Sequence, residues 1–236
     1  MIWIASQRLL FVHNPKCAGT SIHKALLAEF PGAAVGWGRH YNVERDEIRD
    51  MAHLEAREAR AHFGLTGSFR SFGFVRDPYA RFISSYLHFK HWNPDHASMS
   101  PEELAFDLLD EARIRGDWKF VHFAPQYRFF YEGRRRIVPH IWKVEDLPQA
   151  WQQVKREFSL QSELSLENRL GYEYFEPLSA MLIGRINSLY ARDFALFDYP
   201  VKPGTVPKHR KRDFYARFAR LWPERRGLDI SDAADH

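Results

Sequence analysis

The chain has 236 residues, 45% hydrophobic and 27% charged; this composition excludes wholesale disorder and leaves room for one sizeable core, not for two comfortable domains. The single cysteine, Cys17, excludes an internal disulfide and fits a reducing compartment. A formal net charge of +4 is modest, yet the basic runs Arg134 to Arg136 and Lys208 to Arg212 point to anionic partners, with solvated surface charge as the plainer reading.

The opening MIWIASQRLLFV is apolar but interrupted by Arg8, has no basic run before it, and falls short of the ~20 apolar residues of a membrane span. A cytoplasmic location is therefore expected, with a lumenal Golgi-type chain separated from its anchor as the alternative. Leu9 to His13 reads as a short buried strand that breaks at Asn14-Pro15. Ile22, Ala25, Leu26 and Phe30 then recur at helical spacing, and Pro31-Gly32 close the segment. Residues 44 to 62, rich in Glu, Arg and Ala, read as helix broken near His53. The run FGFV at 72 to 75 is a second buried strand. A helix follows, with Asp77 as N-cap and Pro78 as first helical residue, because the cap accepts an orphan N–H and proline has none to lose.

Pro101 to Arg115 reads as a helix, and Arg136 to Val144 as a strand that Pro139 assigns to a sheet edge. Asp146 to Phe158 and Pro177 to Phe197 carry helical apolar faces. Residues 201 to 212, VKPGTVPKHRKR, look like a flexible basic connector, with a short helix at Phe214 to Leu221 after it. Alternation of strand and helix implies an α/β fold around a mostly parallel sheet flanked by helices.

Between the first strand and helix lies NPKCAGTS. A small-residue loop feeding a helix N-terminus is suited to an anion, because unpaired N–H groups and the helix dipole converge there. Gly19 permits close backbone approach, Thr20 and Ser21 add hydroxyls, and Lys16 adds a full charge; the plain alternative is an ordinary turn with a surface lysine. The nucleotide-binding pattern G-x-x-x-x-G-K-[ST] occurs nowhere in the chain. In the second loop, Arg76 offers a bidentate phosphate clamp and Ser84, about two turns into the helix, another donor. Arg81 is assigned to bracing the loop. Taken alone, Arg76-Asp77 reads as a capping ion pair; two such loops together favour one ligand with two anionic ends.

Residues 11 to 21, FVHNPKCAGTS, and residues 72 to 86, FGFVRDPYARFISSY, resemble the 5'-phosphosulfate and 3'-phosphate motifs of carbohydrate-type sulfotransferases that use 3'-phosphoadenosine 5'-phosphosulfate (PAPS). HFAPQYRFF at 122 to 130, WKVEDL at 142 to 147 and YARDFALFDYP at 190 to 200 are similar to further segments of that family, with Asp198 where the family usually has glycine. The resemblance implies a P-loop NTPase-like sheet, a sulfotransferase domain over residues 1 to 200 and an extension over 201 to 236. It implies PAPS as donor and adenosine 3',5'-bisphosphate (PAP) as product, without a metal. Pro15, Lys16, Cys17, Ala18, Gly19, Thr20 and Ser21 would hold the 5' end, and Arg76 and Ser84 the 3' end.

Transfer to an alcohol needs a proton acceptor, and histidine suits that task near neutrality. Among twelve histidines, His53 in HLEAREAR fits the family's His-opened helix and is expected to act as the base beside catalytic Lys16, with His62 as substitute and Glu55 as a possible orienting group. His122 is expected to shape the acceptor cleft, and His13 to be a buried strand residue. The expected acceptor is a hydroxyl, first a carbohydrate's. Trp37, Tyr41, Trp92 and Trp118 are candidate stacking surfaces, and Arg134, Arg135, Arg136, Lys208, Arg210 and Lys211 candidates for an acidic saccharide. No nucleic-acid partner is expected. The rival readings are a kinase of related fold and a non-catalytic polyanion binder.

Overall fold

The computed structural model describes residues 1–43, 46–165 and 177–205. Its elements in chain order begin with β1 (Ile2–Ile4), β2 (Leu9–Val12), α1 (Gly19–Glu29), β3 (Ala34–Val35), β4 (Arg39–Asn42), β5 (Glu47–Asp50), α2 (Ala56–His62), β6 (Arg70–Val75) and α3 (Pro78–Trp92). There follow α4 (Pro101–Glu103), α5 (Glu111–Gly116), β7 (Tyr131–Glu132), β8 (Arg135–Arg136), β9 (His140–Lys143), α6 (Leu147–Phe158), α7 (Ala180–Leu189) and α8 (Ala191–Leu196).

The central sheet has the order β3-β1-β2-β6-β9. Strands β2, β6 and β9 are parallel neighbours, in the register Val12↔Gly73 and Gly73↔Ile141. Strand β1 is antiparallel to both β2 and β3, so every strand but β1 points the same way. Strand alternation builds two cores from one run of residues. Leu9, Phe11, Phe72 and Phe74 pack with Ile22, Ala25 and Leu26 of α1 and Trp151, Val154 and Phe158 of α6. Leu10, Val12 and Val75 face the other way, toward Ala59 of α2, Tyr79, Phe82 and Phe89 of α3, Leu182 and Ile186 of α7 and Phe194 of α8. Gly73 belongs to this second face, where a Cβ would stand 2.5 Å from the Phe130 ring. The two parallel strands β2 and β6 thus deliver their C-terminal ends, and the loops that follow them, side by side at the usual ligand-binding edge of an open α/β sheet.

Several local readings change. Residues 47–50, taken for helix on their Glu/Arg content, form β5, which pairs with β4 as Tyr41↔Ile48; His53 ends a 3-10 turn at Met51–His53, and helix α2 begins only at Ala56. The 101–115 helix is interrupted: α4 passes into a π-helical turn, and Leu109 leaves it in extended conformation before Asp110 caps α5. The 177–197 helix divides at Tyr190 into α7 and α8. Residues 201–205 lie along α7, where Thr205 N–H donates to Ala180 (2.8 Å) and Lys202 N–H donates to the Tyr79 hydroxyl (2.8 Å). Lys208, Arg210, Lys211 and the helix expected at 214–221 lie outside the described residues. No helix among the described residues is long and apolar enough to cross a membrane.

Candidate active site

The loop between β2 and α1 holds two non-glycine residues in the left-handed region, Lys16 (φ 63°) and Ala18 (φ 59°). Such conformations cost on the order of 1–3 kcal/mol each and persist only where the surroundings over-determine them. Here the surroundings do so. Arg81 is buried and donates from Nε to the Pro15 carbonyl (3.1 Å) and from Nη2 to that of Ala124 (2.8 Å), the bracing role expected of it. Asn14 donates to the carbonyl of Phe74 (2.9 Å), to the Gln126 side-chain oxygen (3.0 Å) and to the Cys17 sulfur (3.2 Å). The Cys17 side chain therefore points inward, and burial pushes its thiol up to about 12; what Cys17 offers the loop's open face is backbone. Pro15 offers no N–H, and its carbonyl is already taken by Arg81.

Alternating left-handed residues make a concavity of backbone N–H groups, and α1 follows it without a side-chain cap. At Gly19 a Cβ would lie 1.7 Å from Nε2 of His13, so only glycine lets the helix start against that ring. The Lys16 ammonium makes no hydrogen bond or ion pair among the described residues; burial, with Arg76 beside it, pulls its pKa down to about 8. Thr20 is exposed and Ser21 buried.

The second loop is built differently. The Asp77 carboxylate accepts from Ala80 N–H (2.9 Å) and caps α3, with Pro78 at the first helical position as expected; Glu145 accepts from Asp77 N–H (2.6 Å). The Arg76 guanidinium reaches only the Lys16 carbonyl, at 3.4 Å, and Ser84, half-buried on α3, makes no hydrogen bond among the described residues. One side chain couples the two loops. Gln126 accepts from Asn14 and from Arg76 N–H (2.9 Å) and donates to the Arg76 carbonyl (2.8 Å). Gln126 is in turn held by Asp193 of α8, whose buried carboxylate accepts from the backbone of Gln126 (2.7 Å) and Tyr127 (2.9 Å). Asp198 adopts the left-handed region (φ 52°), a conformation that suits glycine, and its carbonyl receives Lys143 at 2.8 Å.

Within reach of the Lys16 charge lies a cluster of histidines. His53 Nδ1 donates to the His13 carbonyl (3.0 Å), and its Nε2 faces Nε2 of His122 at 3.2 Å. The His13 ring lies 4.4 Å from that of His53, and the His88 ring 4.3 Å from that of His122. Burial lowers all four: His53 and His88 to about 4, His13 and His122 well below their ordinary value. The Lys16 charge contributes to the lowering at His88 and His122. His62 is exposed on α2 against Phe63. Glu55 does not orient His53; it closes a capping box with Glu58 and forms an ion pair with Arg128. A carboxylate, Asp50, lies beside the cluster. With His53 and His122 it forms a group whose ligand atoms all lie within 4.8 Å, the spacing a metal would need, although the bond between the two imidazoles already accounts for their closeness.

Asn14, Asp50, His122, Gln126 and Asp193 were not identified as a unit from sequence, because their partners lie up to 112 positions away. A small cavity lined by Asp50, His53, Trp118 and Arg128 opens beside the cluster. Trp37, 53% exposed, stacks on His13, and Trp92, 66% exposed, lies beside His88. Arg136 is occupied by the carbonyls of Val138 and Pro139. No curated protein and no solved structure matches the chain significantly. The sulfotransferase family profile matches residues 2–200, which contain both loops, the histidine cluster and Asp193, and the chain therefore belongs to the sulfotransferase family.

Proposed function

We propose that this sulfuryl-transfer protein takes its group from PAPS and delivers it to a carbohydrate hydroxyl, on a P-loop NTPase-like sheet whose transferase unit spans residues 1–200. The observation that carries the reading is the pairing of a helix N-terminus without a side-chain cap with a Lys16 ammonium that has no partner among the described residues, next to a loop with a second cation, Arg76, held only by one long bond among those residues, and the hydroxyl of Ser84. A donor with phosphosulfate at one end and a 3'-phosphate at the other uses both. The first-turn amides of α1 and Lys16 receive the sulfuryl oxygens and the bridging oxygen as charge develops there, the kind of preorganised stabilisation that contributes most to group transfer. Arg76 and Ser84 fix the nucleotide's other end. His53, half-buried beside the loop, serves as the base that ends with the proton the acceptor releases. Two solvent-exposed aromatic faces, Trp37 and Trp92, flank the histidines and suit a sugar ring better than a charged partner.

The test is ligand-dependent melting. PAP should raise the melting temperature well beyond AMP or ATP at equal concentration, because binding to the native state alone stabilises by mass action. Equal shifts with AMP would remove the 3'-phosphate site, and a larger shift with ATP would restore the kinase reading.

A further inference from the structure

Both ring nitrogens of His53 are engaged. A backbone carbonyl can only accept, so the contact with His13 O fixes the proton of neutral His53 on Nδ1 and leaves the lone pair on Nε2. That lone pair points at Nε2 of His122, 3.2 Å away, and two lone pairs do not face each other at that distance. His122 is therefore the Nε2–H tautomer, and its own lone pair is on Nδ1. This nitrogen makes no hydrogen bond among the described residues, and it is not one of the buried side-chain atoms left without a partner. A hydroxyl thus cannot reach His53 without displacing a hydrogen bond, but it can reach His122.

Resting on the sulfuryl-transfer reading above, we propose that His122 is the catalytic residue that meets the acceptor hydroxyl, and that His53 is the terminal proton store behind it. The acceptor O–H proton moves to Nδ1 of His122 while the Nε2 proton of His122 moves to Nε2 of His53. The acceptor oxygen bonds to sulfur, the bond from sulfur to the bridging oxygen of PAPS breaks, and PAP leaves with that electron pair. His53 ends as imidazolium and His122 as the neutral Nδ1–H tautomer. The surroundings favour this direction. Asp50 and the His13 carbonyl favour the charged form of His53, against the N-terminal ammonium and Arg81, whereas His122 has only disfavouring neighbours, His53, His88, Lys16 and Arg81. The Lys16 charge also disfavours the charged form of His88, so His122 and His88 are the two rings within its electrostatic reach. The Ser85 hydroxyl donates to the His122 carbonyl (2.8 Å) and seats the residue against α3.

Two measurements test the relay. In the PAP-bound protein labelled with 15N-histidine, His53 should be protonated at Nδ1 alone and His122 at Nε2 alone; a His53 protonated on Nε2 overturns the chain of hydrogen bonds. For turnover, transfer of radiolabelled sulfate from PAPS is followed on a panel of neutral and acidic oligosaccharides. His122→Gln retains an N–H donor toward His53 but cannot accept a proton. It should lose on the order of a hundredfold or more in kcat, as His122→Ala does, with melting temperature and PAP affinity kept. His53→Ala/His122→Ala should be no slower than the worse single variant. Wild-type rates in His122→Gln, or multiplying losses in the double variant, overturn the relay alone. A wild-type protein that binds PAP yet labels no acceptor in the panel overturns the reaction itself.

Discussion

The loops after β2 and β6 are neighbours at the same edge of the same sheet, and each opens a helix, but they treat the helix N-terminus in opposite ways. At α3 the orphan amides meet the chain's own carboxylates, Asp77 and, one residue earlier, Glu145, and the loop backbone is relaxed. At α1 there is no side-chain cap, two residues are held left-handed, and the ammonium of Lys16 has no partner among the described residues. A self-capped terminus repels a second anion, so on the proposed reading the second loop would bind with side chains, Arg76 and Ser84, and the open terminus through backbone. That reading gives charge development to the first loop and affinity to the second.

Lys16→Ala is the severest way to break this division: turnover should fall on the order of a hundredfold to a thousandfold, as when one donor to a developing oxyanion is lost, while PAP affinity changes far less. Full turnover in that variant would show that the first loop stabilises no transition-state charge. Arg76→Ala should do the converse, raising the Kd for PAP roughly tenfold to 150-fold, equivalent to the ~1.5–3 kcal/mol of a charge-assisted hydrogen bond. Calorimetry on both variants shows whether the two roles separate.

A pH series sharpens the contrast further. The free-state pKa of Lys16 is lowered to about 8, and a bound dianion raises it, so binding takes up a proton above that pH. PAP affinity should be flat below pH 8 and decline above it by no more in total than the small loss that Lys16→Ala causes, levelling off once the bound-state pKa is passed; Lys16→Ala should remove that decline. A decline that survives in the variant would place the titration elsewhere. The smallest effect belongs to the self-capped helix. Asp77→Ala should lower stability by about 1 kcal/mol, the usual cost of an N-cap, and leave kcat nearly unchanged. A large loss of kcat would mean that Asp77 acts on the ligand and not only on its own helix.

Both strand–loop–helix units were legible in the sequence because their signals are local: apolar runs ending at Asn14-Pro15 and Arg76-Asp77-Pro78, followed by helical spacing. The inner support was not. Gln126, Asp193 and His122 act through residues on other elements, and no periodicity announces that an amide at 126 will bridge positions 14 and 76. β5 was misread because Glu and Arg favour helix in isolation, whereas its pairing with β4 is tertiary and overrides that preference. His53 was found through a pattern whose helical setting proved to be a 3-10 turn. The side chain is nevertheless in the cluster, since the contact with the His13 carbonyl places it there and the helix does not.

The hydrogen bonds from Gln126 and Tyr127 to Asp193 also bear on how the protein is made. During synthesis the loops at residues 14–19 and 76–77 leave the ribosome early, yet the amide that joins them is held by a carboxylate close to the end of the family domain. Until α8 emerges, the strained turn at Lys16 and Ala18 lacks that clamp. A nascent chain shorter than 193 residues thus holds its first loop without that support, and on the proposed reading PAP binding would report synthesis through α8.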